Sequence, residues 1–186
     1  MKLDNAIKNR KSVRNFNNKK PDWRHIVEAI DSMRYAPKAG NNFSLRTIII
    51  DDEKKIERIA EASQQDFIKE VKHLVVVCGD VDRMENLYPE RGKKYLKQQA
   101  GAAIQNFLLS LEERGLATCW VGHFTEEKVK HLLEIPEKME VEAIFPIGYE
   151  KKVGKEKEKT NPELSSYLFF NKYGDKKMNS PRKLSE

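Results

Sequence analysis

Residues 100–122 read AGAAIQNFLLSLEERGLATCWVG, and this stretch decides the architecture of the chain. Apolar residues lie on most sides of the segment before Gly115, so we predict a long helix from about Lys93 to Arg114 that is buried on more than one face. Gly115 suits the left-handed residue that often follows a helix. The apolar residues 117–121 predict a strand directly afterwards. A helix covered on several sides needs a contact beyond its own sheet.

Outward from this stretch, short apolar runs alternate with helical patterns. The middle of the chain predicts a strand with the continuous apolar character of burial on both faces, over residues 74–78. Residues 80–92 are polar and are expected to be irregular. The other predicted elements are strands at 45–50 and 141–147 and helices at 4–9, 22–36, 53–62 and 125–135.

The length and composition favour one globular unit. The chain has 186 residues, of which 39% are hydrophobic. We therefore expect a single domain over residues 1–174 and a flexible tail over 175–186. No apolar run approaches the roughly 18 residues of a membrane helix, and the N-terminus is not of the signal-peptide type, so we expect a soluble, cytoplasmic protein without a membrane partner. Cys78 and Cys119 lack metal-ligand spacing and are expected to be inert core thiols.

The net charge of +6 is concentrated at the two ends of the chain. Residues 1–24 carry eight Lys or Arg against two acids, and residues 150–186 carry ten against six. A nucleic-acid binder spreads its basic residues along one face, whereas basic termini can also converge on a single phosphate-bearing ligand. Composition alone leaves both interpretations open. Because no recognisable nucleic-acid motif accompanies the charge, no nucleic-acid partner is expected.

One short pattern has chemical content, namely Arg10-Lys11-Ser12-Val13-Arg14. Alternation along an extended segment puts Arg10, Ser12 and Arg14 on the same side, where two guanidinium groups and a hydroxyl can meet a phosphate. Taken alone, the stretch is more simply a solvated basic surface. The sequence has no glycine-rich phosphate loop, nucleophile elbow or zinc-type cluster.

The four histidines are scattered singly along the chain. His25, His73 and His131 are expected on the surface or on helix faces. His123 differs, because it follows the end of a predicted buried strand, where α/β proteins often place ligands. No metal site is predicted.

The chain resembles the nitroreductase family in four segments, in the family's order and over most of its length. Residues 10–16 resemble the N-terminal Arg-Arg-Ser-x-Arg-x-Phe, residues 36–46 the Ala-Pro-Ser loop, residues 103–122 the central helix and following strand, and residues 144–149 the last core strand. The resemblance implies an α+β fold with a central, mostly antiparallel sheet flanked by helices. It also implies a homodimer in which a C-terminal arm, residues 164–170, exchanges onto the partner.

The same resemblance implies an FMN site. Arg10 and Ser12 would bind the phosphate and ribityl end, and Arg14 would reach the pyrimidine edge of the isoalloxazine, where a cation favours the anionic reduced flavin. The loop at Pro37 would approach the flavin, partly from the partner subunit, and Gly122 would let backbone pass close to the ring. The residues implied to bind FMN are Arg10, Lys11, Ser12, Arg14, Pro37, Lys38, Ala39, Asn41, Gln65, Val121, Gly122 and Lys159, with Lys157 as the alternative to Lys159.

The implied activity is that of an FMN-dependent oxidoreductase with a ping-pong sequence. NAD(P)H reduces the flavin and leaves, and a small oxidised acceptor such as a nitroaromatic or quinone takes its place. Flavin N5 carries the hydride chemistry, so no protein group is expected to be catalytic, although His123 and Tyr35 are candidates to line the pocket. Phe43-Ser44-Leu45 stands where the family has Gln-Pro-Trp, which motivates an alternative, a flavin-binding carrier or sensor without turnover.

Overall fold

The computed structural model describes residues 2–152 and 160–178. The chain divides into two compact units, the first ending at Lys152 and the second beginning at Val153. The single domain over residues 1–174 stays a prediction. Of the expected flexible tail, residues 179–186 lie outside the described part of the chain.

Four strands form one antiparallel sheet in the first unit. They are β1 (Leu45–Ile50), β2 (His73–Asp80), β3 (Ala117–Thr118) and β4 (Met139–Gly148), in the spatial order β1-β2-β4-β3. Every residue of β2 is buried, because the strand has a neighbour on each side and side chains from helices over both of its faces. The predicted α+β fold with a mostly antiparallel sheet is confirmed.

Helices surround this sheet in the first unit, and one short helix lies in the second. None of the described helices combines the length and the apolar character needed to span a bilayer. The helices of the described residues are α1 (Leu3–Asn9), α2 (Trp23–Asp31), α3 (Glu53–Ser63), α4 (Val81–Leu87), α5 (Gly92–Glu113), α6 (Glu126–Leu133) and α7 (Leu164–Tyr167), with 3-10 turns at Ser32–Tyr35, Ala39–Asn41 and Asp66–Glu70.

Helix α4 corrects the expectation that residues 80–92 are irregular. The Asp80 carboxylate accepts a hydrogen bond from the Arg83 N–H at 3.1 Å and so caps the first turn of the helix. Met84 is completely buried and joins the core beside α5. A polar segment of seven residues has too little periodicity to reveal its single buried side chain, so the prediction was wrong for a tertiary reason.

The strand predicted over residues 117–121 is shorter than expected. Ladder pairing with β4 ends at Thr118, and Val121 then makes an isolated bridge with Ile144 in which each backbone N–H donates to the other's carbonyl at 3.0 Å. Between these points Trp120 turns its ring edge-on to Phe145, with the ring centres 5.6 Å apart. The chain therefore leaves the ladder for two residues while remaining attached to β4.

Two hydrophobic clusters cover the two faces of the sheet. On one face, Val75 and Val77 of β2 belong to the cluster that includes the buried side of α5, where Phe107 meets Phe145 edge-on at 5.5 Å. On the other face, alternate residues of the same strands pack with α3 and α6. Burying each large apolar side chain stabilises the fold by about 1.5–3 kcal/mol. The second cluster also contains Val13 and Phe16, so the N-terminal segment is part of the core.

The second unit is described over residues 160–178. Helix α7 is followed by a turn in which the Phe169 and Tyr173 rings lie 4.6 Å apart. The Lys176 ammonium lies 4.0 Å from the centre of the Phe169 ring and also donates to the Ser165 carbonyl. The predicted arm, residues 164–170, thus has local structure of its own, and its exchange onto a partner stays a prediction.

Candidate functional site

The basic segment at residues 10–14 lies along strand β3. Ser12 pairs with Thr118 in a parallel bridge, and the Val13 N–H donates to the Thr118 carbonyl at 2.9 Å. Val13 is buried, whereas Ser12 and Arg14 are exposed on either side of it. The backbone pairing therefore fixes the alternation that the sequence predicts, with the polar side chains facing away from the core.

A second anchor holds the far end of this segment. The Phe16 N–H donates to the Glu70 carboxylate at 2.9 Å, and Phe16 forms an antiparallel bridge with Glu150. The Lys11 ammonium lies 2.9 Å from the Glu150 carboxylate. Part of the positive charge of the segment is therefore balanced within the chain, and Lys11 has an internal partner as well as its implied role toward FMN.

The residues that directly follow β3 continue from Thr118, the strand residue that pairs with Ser12. Val121 is buried and held by its bridge to β4, while Gly122 and His123 are exposed. A Cβ built on Gly122 meets nothing within 4 Å. No crowding within the described chain therefore requires glycine here, and the open space is available to a group from outside.

A buried hydroxyl lies beside the basic segment without a partner. Thr118 is 5% exposed, and its Oγ1 has no hydrogen-bond partner among the described residues. A buried polar atom that lacks a partner is costly, and such atoms in native proteins usually await a ligand or an ordered water. The residues at this edge, two arginines, a serine hydroxyl and an unpaired threonine, fit the phosphate and polyol chemistry of FMN.

The loop at residues 37–41 has an unusual backbone. Gly40 and Asn41 have φ angles of 53° and 58° within the 3-10 turn. The φ angle favours glycine at position 40, and a Cβ there would also displace the Tyr88 hydroxyl. The Lys38 ammonium donates to the Arg34 carbonyl at 2.8 Å, and Pro37 and Asn41 are exposed.

Over residues 2–152 and 160–178, hydrogen bonds do not bring all of the predicted site residues together. The hydrogen bonds of Lys38 and Asn41 stay within residues 34–41, and Gln65 bonds through its N–H to the Ala60 carbonyl at 3.1 Å. These bonds do not join the loop or Gln65 to the segment at residues 10–14. Lys157 and Lys159 lie outside the described residues.

Gln99 is a residue that sequence analysis missed. It lies on α5, is only 3% exposed, and hydrogen bonds to the backbone on both sides of Phe43. The available signal was its position: Leu96, Gln99 and Ala103 follow the spacing of one helix face, so a glutamine interrupts an otherwise apolar stripe. A polar residue at such a position needs buried partners, but the sequence does not say which.

A cluster of charges under α5 is structural. Burial raises the pKa of Glu142, and the Lys97 ammonium 3.0 Å away offsets only part of that effect. Burial acts in the same direction on Glu140, but hydrogen bonds from Lys93 and Lys97 outweigh it and leave the Glu140 pKa below its usual value. Burial opposes the charge of Lys97 too, yet its two carboxylate partners raise the Lys97 pKa. Lys93 and Lys97 thus form ion pairs with Glu140, and Lys97 also pairs with Glu142.

Two further titratable side chains are buried in the core. Burial raises the pKa of Cys78 to about 12, which agrees with an inert thiol. His73 is 2% exposed, so its expected surface position was wrong. It begins the central strand, its Nε2 lies 3.2 Å from the Pro21 carbonyl oxygen, and burial lowers its pKa. The described residues contain no group of three or more His, Cys, Asp or Glu arranged to hold a metal.

The sequence matches the model of the nitroreductase family over residues 7–78 and 60–149. The chain belongs to the nitroreductase family. Its matches include an iodotyrosine deiodinase from Thermotoga neapolitana, 27% identical over 163 residues that cover 79% of this chain and 88% of the relative. An FMN reductase (NADPH) from Bacillus subtilis is 26% identical over 151 residues, 71% of this chain and 59% of that protein.

A solved structure of a nitroreductase family protein from Clostridium difficile 630 superposes with a TM-score of 0.80. The two chains are 26% identical, and the match covers 92% of this chain and 99% of the other. The nitroreductase fold therefore extends over nearly all of this chain.

Two glycines of the site region provide a matched test of which one the fold requires. Gly122→Val should change the free energy of unfolding of the flavin-free protein by no more than about 0.5 kcal/mol, because the added side chain meets open space. Gly148→Ala should cost about 1–3 kcal/mol, because its Cβ would lie 2.8 Å from Cδ1 of Phe16. Urea unfolding measures both values.

Titration with FMN as the probe completes this test. Gly122→Val should weaken FMN binding by about tenfold or more, corresponding to roughly 1.4 kcal/mol. If Gly122→Val destabilises the flavin-free protein as much as Gly148→Ala does, Gly122 serves the fold and not a ligand.

Proposed function

We propose that this protein is an FMN-dependent NAD(P)H oxidoreductase that reduces a small oxidised acceptor, such as a nitroaromatic or a quinone. As a nitroreductase-family protein it is a flavin oxidoreductase, and its cofactor is FMN. The assignment of individual residues, the nicotinamide donor, the acceptor and the ping-pong order are the proposal. FMN supplies the hydride chemistry when bound, and the chain supplies binding, orientation and electrostatic tuning.

One observation carries the proposal, namely the pairing of the segment at residues 10–14 with Thr118. The pairing presents Ser12 and Arg14 from a backbone that is held by hydrogen bonds and by the buried side chains of Val13 and Phe16. A phosphate dianion binds best to charged donors whose positions are already fixed. The unpaired Thr118 hydroxyl adds one more hydrogen-bonding group at the same edge.

Within this arrangement each residue has a distinct role. Arg10 and Ser12 bind the phosphate and ribityl end of FMN, and Arg14 places its charge at the pyrimidine edge of the ring. The backbone at Val121 and Gly122 passes along the ring, because the missing side chain at Gly122 leaves room for close approach. The remaining contacts proposed for FMN come from Lys11, Pro37, Lys38, Ala39, Asn41, Gln65 and Lys159.

We also propose a homodimer that completes this site. Exposed apolar residues are spaced by four along two helices, with Leu3 and Ile7 on α1 and Trp23 and Val27 on α2. Both helices contact α5. Exposed apolar side chains that repeat along one side of a helix are typical of a protein interface.

Two backbone features support the same assembly. Gly101 lies inside α5, where glycine costs about 1 kcal/mol relative to alanine, yet a Cβ there meets nothing within 4 Å. Close approach of a second copy explains the glycine. Strand β1 lies at the sheet edge, and the described residues place no strand on its outer side. An arm from the partner would cover this edge.

Steady-state oxidation of NAD(P)H distinguishes an enzyme from a flavin-binding protein without turnover. A flavin carrier or sensor is motivated by Phe43-Ser44-Leu45, which alters the loop near the proposed ring site. Nucleic-acid binding is less favoured, because basic residues of the N-terminal region are ion-paired, Lys20 with Asp51 and Arg24 with Asp22. These pairs reduce the positive field available to a polyanion.

The purified protein should be yellow and contain one FMN per chain. With saturating FMN it should oxidise NADH or NADPH when nitrobenzene or benzoquinone is supplied, and double-reciprocal plots should give parallel lines. An iodinated tyrosine belongs in the acceptor panel, because one relative is named an iodotyrosine deiodinase. Failure to bind FMN would overturn the proposal, and tight FMN binding without turnover of either nicotinamide would support the carrier.

Arg10 and Arg14 should have separable effects. Arg10→Ala should weaken FMN binding by about 1.5–3 kcal/mol, the range for a hydrogen bond to a charged group. Arg14→Ala should lower the reduction potential of the bound flavin, because the lost charge favoured its reduced form. Fluorescence titration and dye-coupled potentiometry measure the two quantities. If both variants show the same change in FMN affinity and the same change in reduction potential, the two arginines do not have separate roles.

Truncation after Pro162 should link dimer dissociation to loss of FMN. The shortened chain keeps Arg10 and Ser12 but lacks the arm, so it should dissociate on dilution and release the cofactor by mass action. Sedimentation recorded at a flavin wavelength measures both events. Truncation after Met178, which retains the arm, is the matched control and should remain dimeric. A monomer that retains FMN would show that one chain builds the whole site.

A further inference from the structure

The side chain of Gln99 bridges the central helix and the loop before β1. Its Oε1 accepts a hydrogen bond from the Ser44 N–H at 2.8 Å, and its Nε2 donates to the Asn42 carbonyl at 2.8 Å. The amide thus recognises one donor and one acceptor of the backbone, as a neighbouring strand would. Because Gln99 is 3% exposed, water cannot readily replace either bond.

Ser44 extends this connection to the sheet. It is fully buried, and its carbonyl accepts from the Asp80 N–H at 2.8 Å at the end of β2. Its own hydroxyl has no partner among the described residues, so its backbone makes the contacts. Ser44 stands where the family pattern has proline, which lacks an N–H and cannot donate to Gln99. Because this chain has serine instead of proline at position 44, its backbone N–H can donate to Gln99.

Further contacts hold the preceding turn from the same side. The Asn42 Nδ2 donates to the Gly40 carbonyl at 3.0 Å, and the Arg83 guanidinium of α4 lies 3.4 Å from the Asn42 Oδ1. The Tyr88 hydroxyl occupies the space where a Cβ of Gly40 would lie. The turn is thus held from the side of α4 and α5, while Pro37 and Asn41 remain exposed.

We infer that Gln99 is a positioning residue that holds the loop at residues 37–43 in the conformation in which it meets the flavin. The inference rests on the proposed function, which places this loop against FMN. It also connects the loop to α5, the helix assigned to the dimer interface. A displacement of α5 would therefore move the loop, because the Gln99 side chain hydrogen bonds to the loop backbone.

The role requires a group that donates and accepts at once. Glutamate has the same shape, but in its ionised form it has no donor for the Asn42 carbonyl and places a negative charge against that oxygen. Protonated glutamate regains a donor and imitates glutamine. Methionine has a similar length and makes neither bond. Gln99→Glu should therefore behave like the wild type at low pH. At high pH it should lose the bond to the Asn42 carbonyl while its carboxylate still accepts from the Ser44 N–H, whereas Gln99→Met should lose both bonds at every pH.

Hydrogen exchange of the flavin-free protein tests the contact itself. The Ser44 amide should be protected in the wild type at every pH. In Gln99→Glu its protection factor should stay high from about pH 5 to about pH 9, across the range of a buried carboxyl group, because both forms of the carboxyl group accept from the Ser44 N–H. In Gln99→Met it should be low throughout. The charged residues tied to this loop, Asp80 and Arg83, are unchanged in all variants, so the wild-type profile is the reference for each variant.

The dissociation constant of FMN, measured over the same pH range, tests positioning. It should rise about tenfold with pH in Gln99→Glu and stay elevated at all pH values in Gln99→Met. The matched controls are Gln98→Glu and Gln98→Met, because Gln98 is the exposed neighbour on the same helix. Both controls should follow the wild type.

The outcomes separate this inference from the proposed function. If Gln99→Glu binds FMN like the wild type at high pH, or if Gln99→Met keeps the Ser44 amide protected, the inference is overturned while FMN binding by the wild type stands. If the wild type itself binds no FMN, the proposed function fails, and the inference about the flavin fails with it. Should Gln99→Met not fold, the pH profile of Gln99→Glu still decides.

Discussion

The antiparallel pairing of β2 with β4 is the constraint on which the rest of the structure depends. All of β2 is buried, so side chains from both of its faces need helical partners. Helix α5 covers one face and α3 and α6 cover the other, which leaves β3 as a short edge beyond β4. An edge strand exposes unpaired backbone groups, and here the N-terminal segment satisfies some of them through its pairing with Thr118. The candidate cofactor site is thus a consequence of how the sheet edge is closed.

The residues proposed to bind the cofactor lie in two parts of the fold, one attached to the sheet edge and one attached to the helices. The segment at residues 10–14 is bound to the sheet and anchored in the second core cluster by Val13 and Phe16. The loop at residues 37–43 is tied instead to α4 and α5 by Gln99 and its neighbours. Among the described residues, the hydrogen bonds of this loop do not reach the segment at residues 10–14, which is the arrangement expected if a second copy supplies one of the two parts. The same central helix would then serve the core, the interface and the loop.

The errors of prediction have a common cause. Helix α4 was missed because Met84 is its one fully buried side chain, too few for a periodic pattern. The strand after Gly115 was predicted too long because Trp120 packs on Phe145 instead of continuing the ladder. His73 was placed on the surface, although Pro21 supplies a buried partner from 52 positions away. In each case a contact between residues that are distant in the sequence overrides a local pattern. Periodicity and turn chemistry describe only neighbouring residues, so they do not predict such a contact.

The amino-acid sequence by itself determined the order of the four strands, the buried character of residues 74–78, the alternation of Ser12, Val13 and Arg14, and the motifs that assign the family. These properties depend on neighbours within a few residues, through helix and strand periodicity and through turn chemistry. Only the tertiary structure decided that Thr118 lies beside Ser12, that Gly122 faces open space, and that Gln99 holds the backbone at Asn42 and Ser44. Those relations join residues 50 to 100 or so positions apart, and they exist because burial of the sheet between two helical layers brings distant backbone groups together where each must find a partner.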